Sequence, residues 1–339
     1  MKMRSKGSNL FVVLIIAAMF VALSSSFAEA ARQLRLGAHY PAGYFVNNGF
    51  RRVADRVKEA TNGEIEIVLY ESGALGSYEQ VMQEVIRGTI DAVTMYPTAR
   101  FSKKFEIVAT PALINSYEDL YKLMKKESPF YKYLKSIYEE CGTVYIGSFI
   151  DSIPGALIRK GKTIENPYDK SNKACQMRVM AQTTLRKWWA AMGYQVASVP
   201  YAEVFTSLQT GVIDGDSGSG PEGAYLAFGD VAGTFIEYPV SFFLLDFAMS
   251  KKTWDSFDDK TKEIIVNAFE AETESVYQEA RESHQKYRKI MQDAGIKILD
   301  PTPEQIKLLT ELAYEVSWPE TEKFTGPEIL QDIRAYMGR

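Results

Sequence analysis

Two segments of this chain, 123 positions apart, are built to one plan: YEQVMQEVIRGTIDA over residues 78–92 and YAEVFTSLQTGVIDG over 201–215. Aligned on Gly88 and Gly211, they match Tyr78 with Tyr201, Val81 with Val204, Ile90 with Ile213 and Asp91 with Asp214. Each reads as a helix closed by a glycine, which takes a left-handed helix end without steric cost, and then a strand. The elements ahead of each segment repeat as well. Before the first come a strand (33–38), a helix (about 47–61, ended by Asn62-Gly63) and a strand (64–70). Before the second come a strand (175–180), a helix (183–192, closed by Gly193) and a strand (195–199). The order β-α-β-α-β, used twice, predicts an α/β fold of two similarly built parallel units. Ligands of such sheets sit at the carboxyl ends of the strands, so a site between the units is expected.

Between and after the repeats the pattern is coarser. Residues 117–138 read as one or two helices, 143–149 as a strand, 151–154 as a turn and 156–159 as a returning strand. Residues 228–238 read as a connector and 244–250 as a strand, with a capping box at Ser256 to Asp259. A helix then runs over about 260–294, its apolar positions keeping a period near 3.6. At the α-helical rise it spans about 50 Å, more than one unit of this size, so it is expected to cross both. Thr302-Pro303-Glu304-Gln305 opens a further helix. Trp188 and Trp189, adjacent on one helix, are expected to face opposite ways, one into the core. The expected domains are residues 31–150 with about 240–280, and 151–239 with about 281–339 and the C-terminal helices.

The N-terminus reads as a secretory signal over residues 1–30. Lys2, Arg4 and Lys6 precede an apolar run from Leu10 to Leu23, and Ala28-Glu29-Ala30 supplies a cleavage site. Cleavage predicts a periplasmic protein and moves the net charge from −4 to −6. That mild acidity, without a basic stripe, argues against a nucleic-acid partner. Cys141 and Cys175 would reach an oxidising compartment, where a bridge between them and two free thiols both remain open. With two histidines and no paired-cysteine spacing, neither a metal nor another cofactor is expected.

The strand carrying Arg178, the helix and glycine after it, the strand ending in Pro200 and the EVFTSLQTGVIDG segment together resemble the substrate-binding proteins of TRAP (tripartite ATP-independent periplasmic) transporters, the DctP type. LRLGAHYP, ATNGEIEI, GALGSYEQ and RGTIDA extend the resemblance over about residues 34–337. It implies a two-domain periplasmic binding protein fold with a long helix spanning both domains. It also implies a non-enzymatic function: capture of a small organic anion, a carboxylate or sulfonate, and delivery to the membrane subunits of a TRAP transporter. A monomer is expected.

Arg178 is the leading site residue. A buried guanidinium needs an anionic partner, and with no acid obvious in its unit the ligand is the expected partner. The resemblance places Arg178 at the position that clamps the ligand's carboxylate, a task suited to its planar fork. Met180, at the end of the same strand, and Ser217 and Gly218, in the glycine- and serine-rich loop, are candidates beside it. From the first unit come His39 and Tyr40 at the end of one strand, Tyr96 at the end of another, and Arg100. Asp151 is a candidate for a ligand hydroxyl or amine. Many family members carry an asparagine, others an acid-tryptophan pair, where this loop has Asp216-Ser217-Gly218. The alternative reading is a periplasmic serine hydrolase using Ser217 of the Gly215-Asp216-Ser217-Gly218 segment, which needs a histidine within reach of the hydroxyl.

Overall fold

A computed structural model describes residues 31–338, and the signal segment read in residues 1–30 lies outside the described residues. The first unit opens with β1 (Arg32–Gly37), α1 (Phe45–Ala60), β2 (Ile65–Tyr70), α2 (Tyr78–Arg87) and β3 (Ala92–Met95). Ser77 and Gln80 form the reciprocal cap that starts α2, and Gly88 ends it at φ +75°. Helices α3 (Tyr117–Leu123) and α4 (Pro129–Glu140) follow, then β4 (Thr143–Ser152), which enters the second unit as β5 (Gly155–Arg159). The second run is β6 (Gln176–Arg178), α5 (Thr183–Ala191), β7 (Gln195–Ala197), α6 (Val204–Thr210) and β8 (Gly215–Asp216). After α7 (Pro221–Phe228), β9 (Ala232–Glu237) and β10 (Phe243–Ser250), the short α8 (Lys251–Asp255) leads to α9 (Asp259–Asp293), β11 (Lys297–Leu299), α10 (Pro303–Val316), α11 (Trp318–Thr325) and α12 (Pro327–Met337).

The two sheets share one topology over five strands, and the second adds β11 at its edge. In the first the order is β2-β1-β3-β10-β4, with β1 parallel to both neighbours and β10 antiparallel to β3 and β4. In the second it is β11-β9-β5-β8-β6-β7, with β6 parallel to β7 and β8 and β5 antiparallel to β8 and β9. The duplicated segments do the same work in both. Gly211 ends α6 at φ +78°, as Gly88 ends α2. Asp91 accepts from the amide of Arg35 on β1 at 2.9 Å, and Asp214 from the amide of Gln176 on β6 at 3.0 Å. Each aspartate therefore ties the strand after its helix to the central parallel strand of its sheet.

The chain passes between sheets at β4–β5, again at β9–β10, and a third time along α9. The early half of α9 packs on α1 and β4, where glycines admit it. A Cβ at Gly49 would lie 2.5 Å from Val276, and Phe269 stacks on Phe149 with ring centres 4.3 Å apart. Its later half packs on α7 and β11, and Met291 belongs to the core of the second unit. This helix spans both units, as its length predicts. Of the C-terminal helices, α10 rests on α5, α11 on α5 and on the 3-10 turn Lys103–Ala109, and α12 on α4.

Several local expectations are corrected. The strand expected over 212–215 shrinks to the two-residue β8, with Val212 66% exposed. The connector over 228–238 contains β9, and Asp151 lies within β4 rather than in a turn. The N-cap of α9 is Asp258, accepting from the Thr261 amide at 2.8 Å, rather than Ser256. Trp188 and Trp189 are both buried, each set edge-on to Tyr238. Both cysteines are free thiols: Cys141 is half-buried at the end of α4, while burial pushes the Cys175 thiol up to about 12.

Candidate functional site

The carboxyl ends of β1 and β3 in one unit and of β6 and β8 in the other converge on a small inner cavity of about 20 Å³. His39 and Tyr40 reach it from beyond β1 and Tyr96 from beyond β3, while Arg178 reaches it from the end of β6, Met180 from just beyond that strand and Gly218 from the loop after β8. Asp151, near the end of β4, and Phe243 and Leu245 of β10 complete one side, and Tyr78 and Tyr201 another. His39, Tyr78, Arg178 and Tyr201 also line an outer groove of about 970 Å³ that runs between residues 72–83 and 198–205.

Arg178 is 3% exposed. Its Nε donates to the Val199 carbonyl at 3.0 Å and its Nη1 to Asp216 Oδ1 at 3.0 Å. Nη2 has no hydrogen-bond partner among the described residues. Asp216 corrects the expectation that Arg178 lacks a protein acid. The two residues are direct neighbours in the β6–β8 register, a pairing that a separation of 38 positions conceals. Gly218 is fitted to the pair. Its amide donates to Asp216 Oδ2 at 3.0 Å, and a Cβ there would lie 2.4 Å from Arg178 Nη1. Any larger residue would push the guanidinium aside.

Asp151 is 2% exposed and accepts from Tyr40 Oη at 3.0 Å, from Ser152 Oγ at 3.2 Å and from Tyr44 Oη. Burial raises its carboxyl to about 6, against the pull of these donors. His39 stands among rings, with centres 4.2 Å from Tyr40, 5.4 Å from Tyr78 and 5.5 Å from Tyr201. Burial, and after it the charge of Arg178, lowers the imidazole to about 4, so it is neutral at physiological pH. Its Nδ1 is enclosed without a hydrogen-bond partner. The first residues of the two repeats thus meet at one histidine across the junction of the units.

Of the remaining candidates, Tyr96 donates to the Val108 carbonyl at 3.4 Å and packs on Phe243. Arg100 is exposed and lines the outer groove. Ser217 is buried, and its Oγ donates to the Arg178 carbonyl at 3.0 Å. Among the described residues no base meets that hydroxyl: His39 is held among the tyrosines, and His284 on α9 has its Nε2 3.2 Å from Glu237. The geometry gives the hydrolase reading no support. Sequence reasoning missed Tyr44, Phe243 and Leu245 altogether, and placed Asp216 in the glycine- and serine-rich loop without pairing it to Arg178. It singled out Tyr78 and Tyr201 as a repeat match without placing them at the site. Among the described residues no group of three or more His, Cys, Asp or Glu side chains is placed to hold a metal ion, and no helix is long and apolar enough to cross a membrane.

Comparison with known proteins agrees with this architecture. The chain is 23% identical over 282 residues to a solute-binding protein of Chromohalobacter salexigens, covering 83% of this chain and 82% of that protein. It is 20% identical over 320 residues to the sialic acid-binding periplasmic protein SiaP of Vibrio cholerae, covering 92% and 95%. A crystal structure of a TRAP periplasmic solute-binding protein from Desulfovibrio salexigens, with bound orotic acid, superposes with a TM-score of 0.81 at 22% identity, over 90% of this chain and 97% of that one. The family model for bacterial extracellular solute-binding proteins, family 7, called DctP, matches residues 36–321. The chain therefore belongs to the DctP family of bacterial extracellular solute-binding proteins.

Proposed function

We propose that this protein is a periplasmic receptor, exported by cleavage of residues 1–30, that closes two domains around a small organic anion and hands it, as a monomer, to the membrane subunits of a TRAP transporter. The observation that carries the reading is Arg178: a buried guanidinium at the junction of the units, two nitrogens tied to protein and Nη2 left for a ligand oxygen. A carboxylate there completes the fork's hydrogen bonding in a site that water leaves on closure. Solved structures of the same fold hold organic acids, among them orotic acid, succinate and D-erythronate. The domains proposed are the two sheet units, with His39, Tyr40 and Tyr96 meeting the ligand from the first and Arg178, Met180 and Gly218 from the second. Asp151 lies where the chain passes between them. Function is then a shift from open to closed driven by contacts to both sides, with no covalent step.

The test is calorimetry with a panel of small carboxylates on the native protein, Arg178→Ala and Arg178→Lys. Lysine keeps a charge for Asp216 but loses the fork, and thermal melts establish that each variant is folded. Truncating a buried, charge-assisted contact costs several kcal/mol, so affinity is expected to fall roughly a hundredfold or more. Native affinity in a folded Arg178→Lys protein contradicts the clamp.

A further inference from the structure

The charges lining the inner cavity do not balance for a simple anion. Arg178 is already met by Asp216, so the pair is close to neutral. Asp151 is a second carboxylate on the same cavity, 2% exposed, and it has no ion pair among the described residues. Its partners are all hydroxyls: Tyr44 on Oδ1, Tyr40 and Ser152 on Oδ2. The titratable groups nearest to it are themselves neutral or acidic, and the cations Lys286 and Arg281 act on Glu222 and Tyr117 rather than on Asp151. Tyr117 and Tyr201 are neutral phenols, and His39 is neutral. Glu222 on α7 is a further acid, hydrogen-bonded to Ser283 and to the Phe45 amide. A ligand bearing only a carboxylate would therefore add a second uncompensated negative charge to a space closed to water, where an unpaired charge is costly.

The walls suit the opposite sign. Tyr40, Tyr78, Tyr96 and Tyr201 line the cavity with neutral His39, and aromatic faces attract cations, more strongly when water is excluded. The guanidinium of Arg178 already lies 5.9 Å from the ring centre of Tyr201. We propose that the ligand is zwitterionic, its carboxylate on Arg178 and a cationic nitrogen, ammonium or quaternary ammonium, beside Asp151 and the tyrosine faces. This rests on the carboxylate clamp proposed above and specifies the chemical class that clamp receives.

Two ligand classes then differ in the sign of their pH response. A cationic nitrogen needs Asp151 ionised, so zwitterion affinity is expected to hold from pH 7 to 8.5 and to fall as pH drops through about 6, where burial has set that carboxyl. A plain anion needs Asp151 protonated, so its affinity would rise over the same descent.

The experiment is calorimetry on the full mature chain with matched probes: glycine betaine, L-alanine, L-proline and L-phenylalanine, beside lactate and phenyllactate, which lack the cation. Each is measured on the native protein, Asp151→Asn and Arg178→Lys, with a thermal melt for every variant. The expected result is that a zwitterion binds at least tenfold tighter than the acid without nitrogen, and that Asp151→Asn removes this preference while the protein stays folded. Should Asp151→Asn prove unstable, the pH series on the native protein decides instead. Failure of every zwitterion to bind at millimolar concentration overturns the proposal. So does a plain acid that binds best, gains affinity as pH falls and binds Asp151→Asn at least as well. Those outcomes leave the clamp standing, whereas native affinity in Arg178→Lys overturns the clamp itself.

Discussion

Asp246 lies on β10 inside the first sheet, fully buried, and accepts from Ser148 Oγ at 2.6 Å and Tyr138 Oη at 2.8 Å. It has no ion pair among the described residues. Desolvation outweighs those two donors and raises its carboxyl to about 7. The folded protein thus holds this proton over a range where the unfolded chain has already released it. The associated stability is fully present below the unfolded value of roughly 4 and is lost as pH rises through about 7. Asp246→Asn removes the titration. Chemical denaturation is expected to show the native protein gaining on the variant by a few kcal/mol between pH 8 and pH 5. A constant difference would mean that Asp246 does not titrate in this range. Side chains like this one show what a sequence withholds. Arg178 stands out as a lone cation among apolar neighbours, but Asp216 becomes its partner only through the register of two parallel strands. Ser217 has a suggestive neighbourhood in the chain, yet its hydroxyl is committed to a main-chain carbonyl.

Helix ends were legible because their chemistry is local. The reciprocal cap at Thr302 forms as read and the glycines after α2 and α6 adopt left-handed conformations, while the box read at Ser256 gives way to Asp258 two residues on. Short strands were less legible, since β8 owes its two residues to neighbours on both sides rather than to its own composition. In β9, Gly233 and Thr234 interrupt the apolar pattern, although Phe235 and Ile236 are buried between β5 and β11. The two equivalent glycines offer a comparison between the repeats. Alanine at either is strained by about 1 kcal/mol from its positive φ. At Gly88 the new Cβ would also lie 2.9 Å from Lys252 Cδ and 3.3 Å from Ser250 Oγ, whereas at Gly211 the nearest atom is 3.6 Å away. Urea denaturation is expected to rank Gly88→Ala as the more destabilising substitution. Equal losses would mean that backbone strain alone sets the cost.

For the whole molecule, the duplicated order made the two-unit plan readable, and the length of α9 made its span readable. How the units meet was not, because that depends on side chains from distant segments. Glu106, fully buried in the first unit, accepts from the Thr183 and Thr184 amides at the start of α5 at 2.8 and 3.0 Å. Gln182, beside α5, donates to the carbonyls of Pro97 and Phe105. These contacts join the units on one side, and Glu222 meets the Phe45 amide on another. Between them the inner cavity of about 20 Å³ has room for roughly one water, far less than an organic acid needs. The arrangement described is thus tighter than any ligand-bound one, so the free protein must populate a wider-open form from which the cleft closes around the ligand, with α9 anchored on both units. Small-angle scattering of the mature protein, before and after saturation with the tightest binder of the carboxylate panel, tests this most directly. The account expects a smaller radius of gyration in the bound state, and an unchanged radius at saturation would contradict capture by closure of two domains.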